Sequence, residues 1–365
     1  MNRKRLVFTV TNDLLYDQRM IRICTSLQKA GYEVLLVGRK NKHFKPLLPQ
    51  AFQQKRLYCF FQKGKKFYVE YNIRLFFFLL FQKFDLICAI DLDTILPCYY
   101  ISKIRNKKRV YDAHELFCEM KEVASRPKIY KVWKSIERKT ILHFKYGYTV
   151  NTHIQQILHK EYGVQYEVIR NMPLLQNTTN TSPERNYILY QGAVNEGRSF
   201  ETLIPAFQYI DLPLWICGNG NFFNEAVALV KQYGLESKVV FKGKIVPGEL
   251  KHITQNAFLG VTLFEKDSLN NYYSLANRFF DYMQAGVPQL CVHYPAYAAI
   301  NQQYKVAVLI DDLSPQNIAT HINHIISDTT LWKEMHHACL QARTVYNWQH
   351  EEQKLISYYK KIFED

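Results

Sequence analysis

The sequence has no cysteine pair close enough to read as a metal or redox motif. Its eight cysteines are scattered, Cys88 and Cys98 being the nearest two, and no CxxC occurs. That excludes a zinc ribbon, a thioredoxin-type dithiol and a disulfide scaffold, and it leads to an expectation of reduced thiols in a cytoplasmic protein. Long apolar runs are missing as well: LFFFLLF (75–81) falls far short of the roughly 20 residues that a membrane-spanning helix needs. Met-Asn-Arg-Lys-Arg leads straight into LVFTVT without a cleavage site, so no secretory signal is expected. Helix-turn-helix, zinc-finger and RNA-recognition signatures are absent too, which sets nucleic acid aside as a partner. With 48% apolar and 22% charged residues, the chain has no disorder signature.

Acidic residues are scarce relative to basic ones, 32 against 47, which leaves a net charge of +15. Such an excess calls for an anionic partner. It is concentrated in residues 52–84, where Lys55, Arg56, Lys63, Lys65, Lys66, Arg74 and Lys83 face Glu70 alone, with twelve aromatic residues interleaved. Two readings stay open. Basic and interfacial aromatic residues suit a surface resting on anionic lipid at the inner face of the plasma membrane. The same composition also describes a solvated face beside core aromatics.

A chain of 365 residues exceeds one ordinary core and fits two domains. Strand-like and helix-like segments alternate throughout. LVFTVT (6–11) precedes a helix whose Met20, Ile23, Cys24 and Leu27 share a face, and EVLLVG (33–38), DLICAI (85–90), RVYDAH (109–114) and YGYTVNT (146–152) follow. A polar stretch, NMPLLQNTTNTSPER (171–185), reads as a linker. The pattern then restarts with YILYQG (187–192), LWICGNG (214–220), KVVFKG (238–243), LGVTLF (259–264) and PQLCV (288–292). Continuous apolar strands alternating with helices predict parallel sheets covered on both sides. The expected class is α/β, with two Rossmann-like domains, residues 1–170 and 171–344, facing across a cleft. The end of the chain from about residue 328 is helical, and its last part, about 345–365, is expected to cross back to the first domain.

Ligands of open α/β sheets bind outside the carboxyl ends of the strands. In the second half that rule points to Gly192, Asn195 and Arg198, to the Gly218-Asn219-Gly220 turn, and to NNYYSLANRFFDYMQAGVP (270–288). Leu275, Phe279 and Met283 give the last stretch an apolar helical face, and Gly286 and Pro288 stop it. Backbone N–H groups near Ser274 and Leu275 would open the helix on an anion, while Asn277, Arg278 and Asp281 share a second face. Phosphates on the helix end with ribose hydroxyls on Asp281 would fit a nucleoside diphosphate. A surface pair between Asp281 and Arg278 is the plainer alternative. In the first half the same rule selects Asn12, Asp13 and Asp17, then Asp91 and Asp93, then Asp112, His114 and Glu115. Asp91-Leu92-Asp93 mimics a metal-binding DxD, but no third oxygen-rich motif accompanies it. His114 stands between two carboxylates, where a reacting group would sit.

Taken together, TNDLLYDQRM with GYEVLLVGR, AIDLDTILP, YDAHELF, YQGAVNEGR, ICGNG and SLANRFFDYMQAGVP resemble a GT-B glycosyltransferase of the family 4 type, essentially end to end. The last motif is the most specific, being similar to the family's donor-binding helix. On that match Asp281 stands at the second glutamate of the family's Glu-x7-Glu motif, and Tyr273 replaces the first. Arg198 stands at the lysine of an arginine–lysine pair whose arginine position holds Ala193, and His114 at the histidine near the donor sugar. The resemblance implies retaining transfer of a hexose from a nucleotide-diphosphate sugar to a glycan or lipid-linked glycan. His114, Arg198 and Asp281 would be the catalytic set, with no metal and no cofactor. Cell-surface polysaccharide, lipopolysaccharide or capsule assembly is the implied setting. A sugar-nucleotide epimerase and a non-catalytic scaffold remain open as alternatives.

Overall fold

The computed structural model describes residues 3–15, 17–40, 45–175 and 186–364, so most of the expected linker, 176–185, lies outside the described residues. The chain divides into two compact units, one made of the residues up to Asn171 and from Glu351 onward, the other of Met172–His350. The α/β architecture with two parallel sheets that the strand pattern predicts is present.

The first unit holds β1 (Arg5–Thr9), β2 (Glu33–Lys40), β3 (Gln53–Tyr58), β4 (Leu86–Ile90), β5 (Lys108–Ala113), β6 (Tyr146–Thr149) and β7 (Glu167–Val168). They pair in parallel in the order β3-β2-β1-β4-β5-β6-β7. Every residue of β4 is buried, as are Leu6, Val7 and Phe8 of β1, because both faces of the sheet are covered. The strand order reverses between β1 and β4, where the loops that follow them diverge to opposite sides.

The basic stretch 52–84 supplies β3 and the helix Gly64–Leu80. Phe67, Tyr71, Leu75 and Leu79 recur every four residues and are buried. Val69, Ile73 and Phe77 recur at the same spacing on another face and are 60%, 53% and 57% exposed. At the chain's end, the helix Trp348–Glu364 contributes to the first unit's core. Tyr359 packs its ring near Phe8 and Tyr148, and the Tyr358 hydroxyl donates to the Gly147 carbonyl at 2.9 Å.

The second unit holds β8 (Ile188–Gln191), β9 (Leu214–Cys217), β10 (Val239–Gly243), β11 (Leu259–Thr262), β12 (Gln289–Val292) and β13 (Ala307–Ile310). Their order is β10-β9-β8-β11-β12-β13, so the reversal falls between β8 and β11. Leu189 pairs with Gly260 across that reversal. Among the described residues no helix is long and apolar enough to cross a membrane.

Candidate functional site

In the second unit, the helix expected to open near Ser274 and Leu275 begins at Asn277 and runs to Gln284, and a separate short helix, Leu269–Tyr273, precedes it. Ser274 is extended, with ψ 159°, and its hydroxyl donates to the Asn271 carbonyl at 2.9 Å, closing the first helix. Ser274 and Leu275 therefore lie in the link and do not open the second helix, which begins at Asn277 after Ala276. Its stop is as the sequence indicates. Gly286 adopts φ 68°, and Val287 N–H donates to the Tyr282 carbonyl at 2.9 Å while Gly286 N–H donates to Met283 at 3.1 Å, a Schellman pattern.

Phe279, Phe280, Tyr282 and Met283 anchor this helix in the core, leaving Asp281 half-buried at the end of β8. The buried Gln191 amide donates to Asp281 Oδ2 at 2.9 Å, and Gln191 Oε1 accepts from the Thr254 hydroxyl at 2.7 Å, so a strand-end side chain orients the carboxylate. Arg278 turns away from Asp281. It lies over the rings of Tyr190 and Phe264, 4.5 and 4.6 Å from their centres, so the surface pair does not form.

The loop after β8 brings Arg198 to the other end of the same constellation. Arg198 Nη1 donates to Asn271 Oδ1 at 2.9 Å, and its guanidinium lies 4.5 Å from the centre of the Phe264 ring. Asn271 donates in turn to Asp267 at 2.8 Å. The glycines of the Gly218-Asn219-Gly220 turn have a packing reason that needs no ligand. A Cβ on Gly218 would meet the Gly192 carbonyl at 1.7 Å, and one on Gly220 the Val194 carbonyl at 2.2 Å, because the two loops cross there. Asn195 and Asn219 hold the crossing: Asn221 N–H donates to Asn195 Oδ1 at 3.1 Å and Val194 N–H to the Asn219 carbonyl at 3.2 Å. Gly192, Arg198, Arg278 and Asp281 thus gather at the carboxyl ends of β8 and β11, where the strand order reverses, as ligand sites in such sheets do.

In the first unit, a buried charge cluster follows β4 and β5. Arg19 Nη2 donates to Asp112 Oδ1 at 2.8 Å, and His114 Nε2 lies 3.0 Å from Asp112 Oδ2. Asp91 Oδ1 accepts from the His114 backbone at 2.8 Å, and its Oδ2 is 3.5 Å from His114 Nδ1. Burial would depress the His114 imidazolium, but Asp112 and Asp91 outweigh it and lift it to about 9. Burial would likewise raise the Asp112 carboxyl, yet Arg19 and His114 hold it below the usual range. Asp91 is lifted well above its usual range by burial, against the pull of His114, and burial lifts Asp93 to about 7 against the Thr11 hydroxyl bond. Arg19 Nε also points at His114 Nε2 from 2.8 Å. Only a neutral ring can accept there, so the charge state of His114 decides which partner Nε2 takes.

Asp91 has φ 53° and ψ 177°, a conformation nearly confined to glycine that costs about 1–3 kcal/mol. Its N–H bond to the Asp112 carbonyl at 2.9 Å and its side-chain bond to His114 hold it there. The loop after β1 is occupied with its own structure. Asp17 caps the helix Gln18–Lys29 through Met20 N–H at 3.1 Å, Asn12 donates to Asp17 at 3.0 Å, and Asp13 pairs with Arg56. Glu115 is half-buried beside His114. Among the described residues no group of three His, Cys, Asp or Glu is arranged to hold a metal ion. Sequence reasoning missed Arg19, Gln191 and Phe264. Arg19 did leave a signal, as a cation four residues before Ile23 on the helix's buried face.

Residues 173–343 match the family model described as glycosyl transferases group 1. No curated protein sequence matches the chain. Among solved structures, the chain is similar to sucrose-phosphate synthase from Thermosynechococcus elongatus, at 15% identity and TM-score 0.80, covering 99% of this chain and 100% of that one. It is also similar to Anabaena HepE in complex with UDP and glucose, at 15% identity, TM-score 0.78 and 98% and 100% coverage. A third is WaaG, a glycosyltransferase involved in lipopolysaccharide biosynthesis, at 14% identity, TM-score 0.76 and 96% and 98% coverage. The shared fold is GT-B.

Proposed function

We propose that this chain, a GT-B protein with a glycosyl transferases group 1 domain over residues 173–343, moves a hexose from a nucleotide-diphosphate sugar to an acceptor hydroxyl with retention of configuration and without a bound metal. In that transfer the anomeric bond to the diphosphate breaks, its electron pair leaving on phosphate oxygen. The acceptor oxygen bonds the same face of the sugar, and its proton passes to the departing diphosphate oxygen. The observation that carries the reading is the Gln191–Asp281 pair at the end of β8, next to Arg198 and Arg278. Asp281 would accept from ribose hydroxyls, and the guanidinium groups would stabilise charge developing on the leaving diphosphate. A relative of the same fold solved with UDP and glucose supports the substrate class.

Asp281→Ala should lose charge-assisted bonds of roughly 1.5–3 kcal/mol, a tenfold to hundredfold loss of nucleotide affinity. Arg198→Ala should weaken diphosphate-bearing ligands and nearly spare the bare nucleoside. Calorimetry with nucleoside, nucleoside diphosphate and nucleotide sugar separates the two patterns. Both variants binding all three as the parent does would move the site elsewhere, and turnover of nucleotide sugar with no acceptor present would mean an epimerase.

The acceptor side of the proposal is a glycan or lipid-linked glycan in cell-surface assembly, reached by peripheral attachment to the inner membrane face. Its support is the helix Gly64–Leu80. Exposed Val69, Ile73 and Phe77 run along it, Phe60, Phe61 and Phe81 are 66%, 46% and 80% exposed, and Lys65 and Lys66 line the same groove as Phe61, Val69 and Ile73. A basic side chain near an anionic surface contributes about 1 kcal/mol. Neutralising Lys63, Lys65 and Lys66 should therefore lower partitioning onto anionic vesicles by roughly a hundredfold, and Ile73→Ser with Phe77→Ser should lower it on neutral vesicles too. Absence of vesicle binding by the parent protein at low salt would leave this face merely solvated.

A further inference from the structure

The helix Ile95–Ile104 seats Tyr99 among basic side chains at the end of the first unit's sheet where β5 begins. The Arg109 guanidinium lies 5.4 Å from the centre of the Tyr99 ring and Lys103 Nζ 5.7 Å from it, while the His143 ring stacks on it at 4.9 Å and 16°. Tyr99 is buried and Arg109 half-buried, whereas Lys103 and His143 are exposed. Among the described residues no carboxylate pairs with Arg109 or Lys103.

Helix ends explain part of this charge. Lys103 lies in the last turn of its helix, and Arg138 and Lys139 in the last turn of the helix Pro127–Thr140, where a cation complements the carbonyl end. Arg109, the second residue of β5, belongs to no helix. Burial lowers its guanidinium from the ordinary value, and only Tyr99 acts against that. A cation–π contact contributes roughly 0.5–1 kcal/mol at an exposed site, and a second cation on the same ring adds repulsion. An anion received by both cations relieves the burial and the repulsion together. A guanidinium fork, an ammonium and an imidazole gathered around one ring suit a single compact anion with several oxygens. An acidic peptide, its carboxylates spread along a chain, would call for dispersed cations instead.

We propose that Arg109, Lys103 and His143 form a phosphate-binding site around Tyr99, separate from the site of transfer. His114 follows the far end of the same strand, about 17 Å from Arg109 at about 3.3 Å per residue. The phosphate is that of a lipid headgroup or of a soluble phosphate compound. In the first case Ile104 and Leu142, the exposed neighbours of Lys103 and His143, would enter the apolar layer.

The test places a fluorescent probe beside the site on Leu142→Cys, the native cysteines being buried. Inorganic phosphate, titrated against chloride at matched ionic strength, should give a saturable change in emission. Arg109→Met should weaken that response at least about tenfold, and Lys103→Gln severalfold, whereas Arg198→Ala and Asp281→Ala should leave it unchanged. Co-sedimentation with phosphatidylglycerol and phosphatidylcholine vesicles separates the sources. Weaker binding of Arg109→Met to the anionic vesicles alone assigns a lipid headgroup; equal vesicle binding with a weakened phosphate response assigns a soluble ligand. The proposal is overturned if neither phosphate nor phosphatidylglycerol distinguishes the parent from both variants, leaving these cations as complements of helix ends. It is overturned as well by a phosphate response that Arg198→Ala abolishes, since the anion would then sit at the donor site. A lower melting temperature of Arg109→Met with unchanged phosphate affinity would make Arg109 a packing residue. Lys103→Gln, on an exposed turn, carries the test should Arg109→Met fail to fold.

Discussion

Arg19→Met should destabilise the first unit by about 3–5 kcal/mol, the largest stability effect expected of any single substitution in the chain. Asp112 is fully buried, and Arg19, itself 4% exposed, is its closest cation at 2.8 Å. Removing one member of such a pair leaves an uncompensated charge in the interior, and that penalty is what the measurement would read. A second bond is lost with it, since Arg19 Nη1 also donates to the Ile169 carbonyl at 3.2 Å. Urea denaturation, following the transition of the first unit, checks the size. The double variant Arg19→Met with Asp112→Leu should regain much of the loss, because an apolar pair of similar volume removes both ions together. A cost under about 1 kcal/mol for Arg19→Met alone would mean that His114 suffices as the partner of Asp112.

The same cluster sets how that stability depends on pH. The depressed Asp112 carboxyl contributes stability that is present above its unfolded pKa and lost as pH falls through the folded one. Asp93, raised to about 7, has the opposite sign: protonated more readily in the folded chain, it contributes less as pH rises from about 4 to 7. His114, raised to about 9, contributes fully below its unfolded pKa of about 6.5 and loses that contribution as pH rises through 9. The cluster therefore favours mildly acidic conditions, and the first unit of the parent protein should unfold more easily at pH 9 than at pH 5. Arg19→Met should weaken the acid-side loss, because without its cation the Asp112 carboxyl is held less far below its unfolded range.

Strand positions were legible because parallel strands buried on both faces are written as unbroken apolar runs: LVFTVT and DLICAI became β1 and β4. The helix stop at Gly286 was equally plain, a local matter of one glycine at positive φ. What could not be read were choices made by distant partners. The break at Ser274 depends on one hydroxyl turning back to Asn271. Arg278 and Asp281, three residues apart, look like a surface pair until Tyr190 and Gln191 of β8 and Phe264 from the loop after β11 separate them. Gly218 and Gly220 looked like ligand glycines, yet a crossing loop more than twenty residues earlier already requires them. Arg19 was hidden for the same reason, since its carboxylate partner is 93 residues away.

His114→Ala should lower transfer by roughly 10²–10⁴-fold while leaving nucleotide affinity nearly unchanged, the largest functional effect expected of one side chain. The donor candidates Arg198, Arg278 and Asp281 all belong to the second unit, whereas His114 follows β5 of the first. Its ring is one-fifth exposed, and against the effect of burial Asp112 and Asp91 lift it to about 9, which favours the protonated form at neutral pH. In the proposed transfer a protonated ring would serve not as a base but as a hydrogen-bond donor to an oxygen that gains charge as the anomeric bond breaks. That role makes a distinct demand on the pH profile. Transfer by the parent protein should persist up to about pH 9 and fall above it, and His114→Gln, a neutral donor, should keep part of the rate and lose that alkaline limb. The fold should survive either change, because the bond from His114 to Asp91 Oδ1 uses the backbone N–H. Steady-state kinetics would show the loss in kcat with KM for the donor preserved. Loss of nucleotide affinity and of thermal stability in equal measure, with no change in the pH profile, would make His114 a structural member of the Arg19–Asp112 cluster instead.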